Sequence, residues 1–257
     1  MSLAGKNALV TGARRNIGRG IAQALAQSGC NVGINDLECD ADAEQTLQLI
    51  GEQGRETEFF TADISDAGQV EGMIAGFLDR FGRIDILVNN PYYAVSKPFL
   101  EISEEIWNRT VDVSLKGFFL CSQRTAKAMV EQGDGGNIVS ISSVHARRAW
   151  SANTCYGVAK AGILRLTEGM ALELGEYGIR CNAILPGYMD TEHVFGTGPP
   201  ALGSINEELK RFAPIGRRGT PEDIGLAVAF LCSPAAANIT GVSIPVDGGL
   251  LITGSQN

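Results

Sequence analysis

The chain reads as an α/β protein built on a single doubly wound parallel sheet with helices on both faces. Three observations point there. Short β-branched or apolar runs alternate with longer amphipathic ones. The runs Ile84-Asp85-Ile86-Leu87-Val88 and Ile138-Val139-Ser140-Ile141 are nearly continuous and apolar, as strands covered on both faces are. No linker, repeat or shift in composition divides residues 1–257, so one domain is expected.

Residues 7–11 form the first strand, and the amphipathic run 17–28 follows as a helix. Residues 31–36 return as a second strand ending on Asp36, with a helix over 41–53 behind it. The same alternation gives a strand at 58–61, a helix at 67–81, a strand at 84–89 and a long helix at 104–131. A strand at 137–142, a helix at 155–176 and a strand at 180–185 complete the pattern. The breaker-rich segments 133–136 and 196–203 read as loops inside the domain. The second lies in a stretch, 188–219, that holds Pro199, Pro200 and Pro214 and only a short helical pattern around 207–212. Long irregular segments in compact domains often serve as lids, and a substrate lid is expected at about 188–219.

Composition narrows the function classes. The chain is 44% hydrophobic and 19% charged, with a mean hydropathy of +0.05, which suits a soluble globular protein. Its longest apolar stretch, 224–232, is interrupted by Gly225 and is about half the roughly 20 residues that a spanning helix needs. The opening MSLAGKNALVTGA lacks a basic segment followed by an apolar one, and a cytoplasmic location is expected. Lys and Arg number 21 against 29 Asp and Glu, and the resulting net charge of -8 disfavours a nucleic-acid or anionic-membrane partner. Six cysteines without a C-x-x-C pair and only two histidines suggest neither a metal site nor a disulfide framework. Most of the cysteines sit in apolar runs and read as small buried hydrophobes.

Two segments carry chemistry. The first strand runs into Thr11-Gly12-Ala13-Arg14-Arg15-Asn16-Ile17-Gly18, and a helix follows at once. There, glycines let the backbone turn tightly and approach a pyrophosphate whose charge meets the helix N-terminus, although the spacing departs from G-x-G-x-x-G. The second segment is Tyr156-Gly157-Val158-Ala159-Lys160, preceded by Ser142-Ser143 at a strand end. Residues four apart share a helix face, so Tyr156 and Lys160 point into one cleft. A nearby ammonium favours the ionised phenol and is expected to bring Tyr156 toward proton exchange near neutral pH.

In order and spacing these features resemble the classical short-chain dehydrogenase/reductase family over essentially the whole chain. Thr11-Gly12 through Gly18 resembles that family's glycine-rich turn, and Asp63-Ile64 its adenine-contacting pair. Asn89-Asn90 resembles the start of its Asn-Asn-Ala-Gly segment, and Ser143 stands 13 residues before Tyr156, at the usual catalytic interval. Pro186-Gly187 with Thr191 resembles the segment that holds the nicotinamide amide, and Val246-Asp247-Gly248-Gly249 the C-terminal strand motif. The resemblance implies a Rossmann-like fold and a dehydrogenase or carbonyl reductase acting on CH-OH groups of a small-molecule alcohol or carbonyl. It makes Tyr156 the general acid/base and Ser143 the hydrogen-bond donor to the substrate oxygen. Lys160 would hold the nicotinamide ribose and tune Tyr156. Gly12, Arg15, Asn16, Ile17, Gly18, Asp36, Leu37, Asp63, Ile64, Asn90, Tyr156, Lys160, Pro186, Gly187, Met189 and Thr191 are the implied cofactor residues. Asp36 favours NAD over NADP, while Arg15 pulls toward NADP. A homotetramer is also implied, with 111–128 and 162–174 as interface helices.

Three positions depart from the family pattern. Asn16 replaces the middle glycine of the turn, which Asn tolerates because it visits left-handed conformations. Pro91-Tyr92 replaces Ala-Gly, and Ser114 stands where the fourth catalytic residue is usually Asn. The expectation is that Ser114 supports an adapted proton relay through water to Lys160. Ser114 and Pro91 also motivate an alternative, a dinucleotide-binding regulatory protein with weak or no turnover. A cofactor-free lyase is a third alternative, disfavoured by Asp36, Asp63 and Lys160. His145, Arg147, Arg148, Trp150 and Cys155 lie where the family's substrate pocket begins, with Tyr92, Tyr188 and His193 facing it from other loops. Arg147 and Arg148 read as a solvated or subunit-contact pair, and His193 as a lid surface residue.

Overall fold

A computed structural model of the chain describes residues 2–191, 210 and 212–253. Seven strands form one sheet: β1 (Asn7–Thr11), β2 (Asn31–Asp36), β3 (Thr57–Thr61), β4 (Ile86–Asn89), β5 (Gly136–Ile141), β6 (Ile179–Pro186) and β7 (Ser243–Val246). Their order is β3-β2-β1-β4-β5-β6-β7, and every pairing among the described residues is parallel. The order reverses between β1 and β4, which opens a crevice at the carboxyl ends of the strands.

Alternation along each strand divides the core between two faces. Ala8 and Val10 of β1 face the layer of α1 (Asn16–Gln27), α2 (Ala41–Gly51) and α7 (Pro221–Cys232), where Ile21, Leu25, Ile50, Ile224 and Val228 are buried. Leu9 faces the other layer, of α3 (Ala67–Phe81), α5 (Gly117–Gln132) and α6 (Thr154–Leu174), around Phe77, Met129 and Ile163. The α1 and α7 backbones pack closely because both carry glycine at the crossing. A Cβ on Gly225 would meet the Gly20 carbonyl and lie 2.7 Å from Ala24 Cβ.

Several boundaries differ from the sequence pattern. The strand expected at 84–89 starts at Ile86, because Asp85 turns its carboxylate to Lys6, Arg83 and the Asn7 backbone N–H. The helix expected at 104–131 is α4 (Glu104–Val111), one π turn over Asp112–Lys116, and α5. Helix α7 was visible only as an apolar stretch. Its start signal is complete: Thr220 caps Asp223 N–H, the Asp223 carboxylate accepts Thr220 N–H, and Pro221 occupies the first turn.

Of the expected lid at 188–219, the described ends are tied to each other. Asp190 N–H donates to Gly219 O at 2.8 Å, and Gly219 N–H donates to Tyr188 O at 2.8 Å. The Tyr188 and Phe212 rings meet edge to face at 6.3 Å. The loop 196–203, His193 and most of the helical pattern at 207–212 lie outside the described residues.

Candidate active site

The end of β5 and the first turns of α6 build the reactive cluster. Ser143 leaves β5 with an extended backbone and caps a short turn, Val144–Ala146, accepting His145 N–H on its Oγ at 3.2 Å. Ser142 Oγ donates to the Lys160 carbonyl at 2.7 Å and ties α6 to the strand end. Tyr156 and Lys160, one helical turn apart on α6, reach the same space beside Ser143, as their spacing predicts.

Burial dominates the electrostatics. Lys160 is 1% exposed, its Nζ donates to Ile141 O at 2.8 Å, and the Phe118, Tyr156 and Tyr92 ring centroids lie 5.2, 5.6 and 5.9 Å away. With no carboxylate among the described residues to compensate, desolvation brings its pKa down to about 7. Burial pushes Tyr156 up to about 12, the Ser143 hydrogen bond opposes that rise, and the neighbouring Tyr92 phenol adds to it. The expected pull of Lys160 on the phenol toward neutrality does not appear: burial is the leading cause for both groups, and Lys160 is not among the groups that act on Tyr156.

Ser114 occupies the π turn, fully buried, and its hydroxyl is committed to a backbone loop. It accepts Tyr93 N–H at 3.0 Å and donates to Tyr93 O at 3.3 Å. Neither bond goes to Lys160. The pair holds the Pro91-Tyr92-Tyr93 segment so that the Tyr92 ring meets Tyr156 edge to face at 5.7 Å. Nothing in the sequence pairs Ser114 with Tyr93, since this contact is made to backbone.

The second half of the site lies across the crevice. Gly12 and Asn16 both take positive φ, +62° and +52°, so Asn16 adopts the left-handed backbone expected of it. A Cβ on Gly18 would run into the Gly12 carbonyl and lie 2.7 Å from Ala13 Cα, so the turn closes only with glycine there. Arg15 precedes α1 without a side-chain cap, and the first turn of α1 holds no acidic residue. These features form a backbone cradle at a helix N-terminus and fit the diphosphate of a dinucleotide. Ile17 packs against the core beside them. Asn90 joins β4 to this turn by donating to Gly12 O at 2.7 Å, and Pro91 lies against Gly12.

Asp36 ends β2, accepting Leu37 N–H at 2.9 Å, while Leu37 is exposed. The Arg14 guanidinium lies 3.8 Å from Asp36, 2.7 Å from Glu38 and 2.6 Å from Asp40, and Arg15 turns toward Asp42 at 3.7 Å. Beyond β3, Asp63 holds Ser65 and Arg109, which keeps its carboxyl below the usual range despite partial burial, and Ile64 is buried against Gly117. Pro186 ends β6, and Gly187 packs where a Cβ would lie 2.7 Å from Asp247 Cα. Met189 is buried and bridges to Gly219, and Thr191 closes the described part of this segment. All these positions border the carboxyl ends of the strands. No group of three or more His, Cys, Asp or Glu side chains that could hold a metal ion occurs among the described residues.

A family model described as Enoyl-(Acyl carrier protein) reductase matches residues 12–251. A short-chain dehydrogenase/reductase of Armillaria gallica is 38% identical over 254 residues, covering 96% of each chain. The chain belongs to the short-chain dehydrogenase/reductase family. An L-rhamnose 1-dehydrogenase (NAD(P)(+)) of Sphingomonas sp. is 36% identical over 250 residues, 97% of this chain and 98% of the other. The crystal structure of acetoin dehydrogenase from Enterobacter cloacae superposes with a TM-score of 0.89 at 34% identity, covering 100% of this chain and 99% of the other.

As a short-chain dehydrogenase/reductase, the protein is an oxidoreductase on a Rossmann-like sheet. Two features of this member are absent from the sequence pattern. Ala152 takes φ +60° in the loop before α6, where its carbonyl accepts Lys97 N–H at 2.9 Å and links two loops at the crevice mouth. The His145 ring also faces Ser143 Oγ directly, at 3.2 Å from Nδ1.

Proposed function

We propose that the protein transfers a hydride between a nicotinamide dinucleotide and an alcohol/carbonyl substrate, with Tyr156 as general acid/base. The convergence of Ser143, Tyr156 and Lys160 beside a glycine cradle at the sheet's reversal point carries this reading. The bound dinucleotide supplies the hydride acceptor or donor. Ser143 donates a hydrogen bond to the substrate oxygen, Tyr156 exchanges a proton with it, and Lys160 holds the nicotinamide ribose. At pH 7 Tyr156 is protonated and ready to act as an acid toward a carbonyl. Acting as a base toward an alcohol, it must first lose that proton, which a charged Lys160 favours. Ser114 contributes through the loop it clamps.

Gly12, Arg15, Asn16, Ile17 and Gly18 would hold the diphosphate, and Asp36 with Leu37 the adenosine ribose. Asp63 Oδ2 accepts one Arg109 hydrogen and keeps a lone pair for the adenine amino group, with Ile64 beside it. Asn90, Pro186, Gly187, Met189 and Thr191 would line the nicotinamide end. NAD is the favoured cofactor, with NADP as the alternative. Arg14 is surrounded by three carboxylates and Arg15 leans on a fourth, which leaves the ribose corner unfavourable to a 2′-phosphate.

The names of the relatives direct the substrate search to aldoses and small hydroxyketones. The reading includes one catalytic domain over 1–257, a lid at 188–219, a homotetramer and a cytoplasmic location. No helix among the described residues is long and apolar enough to cross a membrane. Fluorescence titration tests the cofactor assignment: NADH should bind more tightly than NADPH, and Asp36→Ala should erase the difference. Tighter NADPH binding, or unchanged selectivity in the variant, would overturn it.

A further inference from the structure

A serine hydroxyl has a single hydrogen, and in the proposed reaction Ser143 gives it to the substrate oxygen. Its Oγ accepts the His145 backbone N–H at 3.2 Å. With the hydrogen directed at the substrate oxygen, the 3.2 Å contact between Ser143 Oγ and His145 Nδ1 would set one lone pair against another unless Nδ1 carries a proton. Ser143 then accepts two hydrogen bonds and donates one.

The His145 ring is held in place to make this bond. Trp150 stacks on it at 4.3 Å and 33°, and Tyr156 meets it edge to face at 5.1 Å and 76°. Arg148 lies 5.4 Å from the Trp150 ring centre and fixes the stack from its far end. Gly157 leaves room for the turn, since a Cβ there would lie 3.3 Å from the His145 carbonyl. Burial holds the imidazole below its ordinary pKa and so keeps it neutral at pH 7, with one N–H. Among the described residues, Ser143 is the only side chain within hydrogen-bond reach of that ring.

We propose that His145 is a positioning residue. Its Nδ1–H, donated to Ser143 Oγ, turns the one Ser143 hydroxyl hydrogen toward the substrate oxygen held beside Tyr156. Successive hydrogen bonds polarise one another, so the chain from His145 through Ser143 strengthens the last donor. This inference rests on the proposed reaction, and it gives the histidine a duty beyond lining the pocket.

Two measurements test it. In nitrogen-15 spectra of the imidazoles, assigned with His193→Gln, wild-type His145 should carry its proton on Nδ1, and Ser143→Ala should shift it toward Nε2. In kinetics with the best substrate found, His145→Phe keeps an aromatic ring but should lower kcat by about tenfold, the worth of one hydrogen bond. The KM for the dinucleotide should stay unchanged. His145→Asn, whose amide nitrogen reaches the Nδ1 position, should recover most of that loss. An unprotonated Nδ1, wild-type kcat in His145→Phe, or equal losses in both variants would overturn the proposal. An Nδ1–H signal in a protein that turns over no substrate would support the hydrogen bond and count against the proposed reaction, so the two failures read apart.

Discussion

Lys160 lies in the core without an acidic partner among the described residues, and its charge should leave a trace in stability. Its pKa is about 7 in the folded protein against 10.5 for the free side chain. Between those values the unfolded chain binds a proton that the folded one does not, so stability rises with pH across that window. Below pH 7 both states are charged and the burial penalty is present in full. Tyr156, raised from 10.0 to about 12, acts with the opposite sign above pH 10. Thermal unfolding of wild type and Lys160→Met should therefore show the variant gaining most below pH 7, with the gap narrowing from pH 7 to 9. A gap independent of pH would contradict a lowered Lys160 pKa. The sequence placed Ser143, Tyr156 and Lys160 together because a strand end and a four-residue helical spacing are local features. The desolvation of Lys160 was not legible, because it depends on Phe118, Tyr92 and Ile141, which arrive from three other elements.

At the scale of elements, the π turn and the α1–α7 crossing carry the most information. Ser114 clamps Tyr93 through two hydrogen bonds to backbone. Ser114→Ala should cost about 1 kcal/mol in a urea titration and loosen the loop that bears Tyr92. It should also reduce turnover by less than loss of the Tyr156 hydroxyl does. Unchanged stability and rate would remove Ser114 from the account. Gly225→Ala pushes a Cβ into α1 and should cost about 1 to 3 kcal/mol, read as a lowered urea midpoint. A midpoint equal to wild type would mean that the helices separate freely. The alternation of strands and helices was legible because their periods differ, 2 against 3.6 residues. The π turn was not, because its residues keep a helical pattern. Helix α7 is announced by its cap, Thr220, Pro221 and Asp223, rather than by its period, because most of its later residues are apolar.

The whole molecule presents apolar side chains on the α4, α5 and α6 surface: Trp107, Phe119, Val158 and the 85% exposed Leu172. Phe119 and Leu172 lie in the segments 111–128 and 162–174 that the family resemblance implies as a subunit interface, and Trp107 and Val158 lie outside them. Light scattering should return about four times the 27.2 kDa chain mass at micromolar concentration. A mass of one chain would refute the tetramer. The parallel sheet and its crevice were legible from continuous apolar strands, whereas substrate identity was not, because the pocket walls come from loops with no periodicity. The central claim is that the Tyr156 phenol exchanges the proton that accompanies hydride transfer. Its most direct test is kcat for Tyr156→Phe, followed by nicotinamide absorbance at saturating substrate, with dinucleotide affinity measured in parallel. The account predicts a loss of about 10² to 10⁴-fold in kcat with dinucleotide affinity retained. Turnover comparable to wild type in Tyr156→Phe would contradict it.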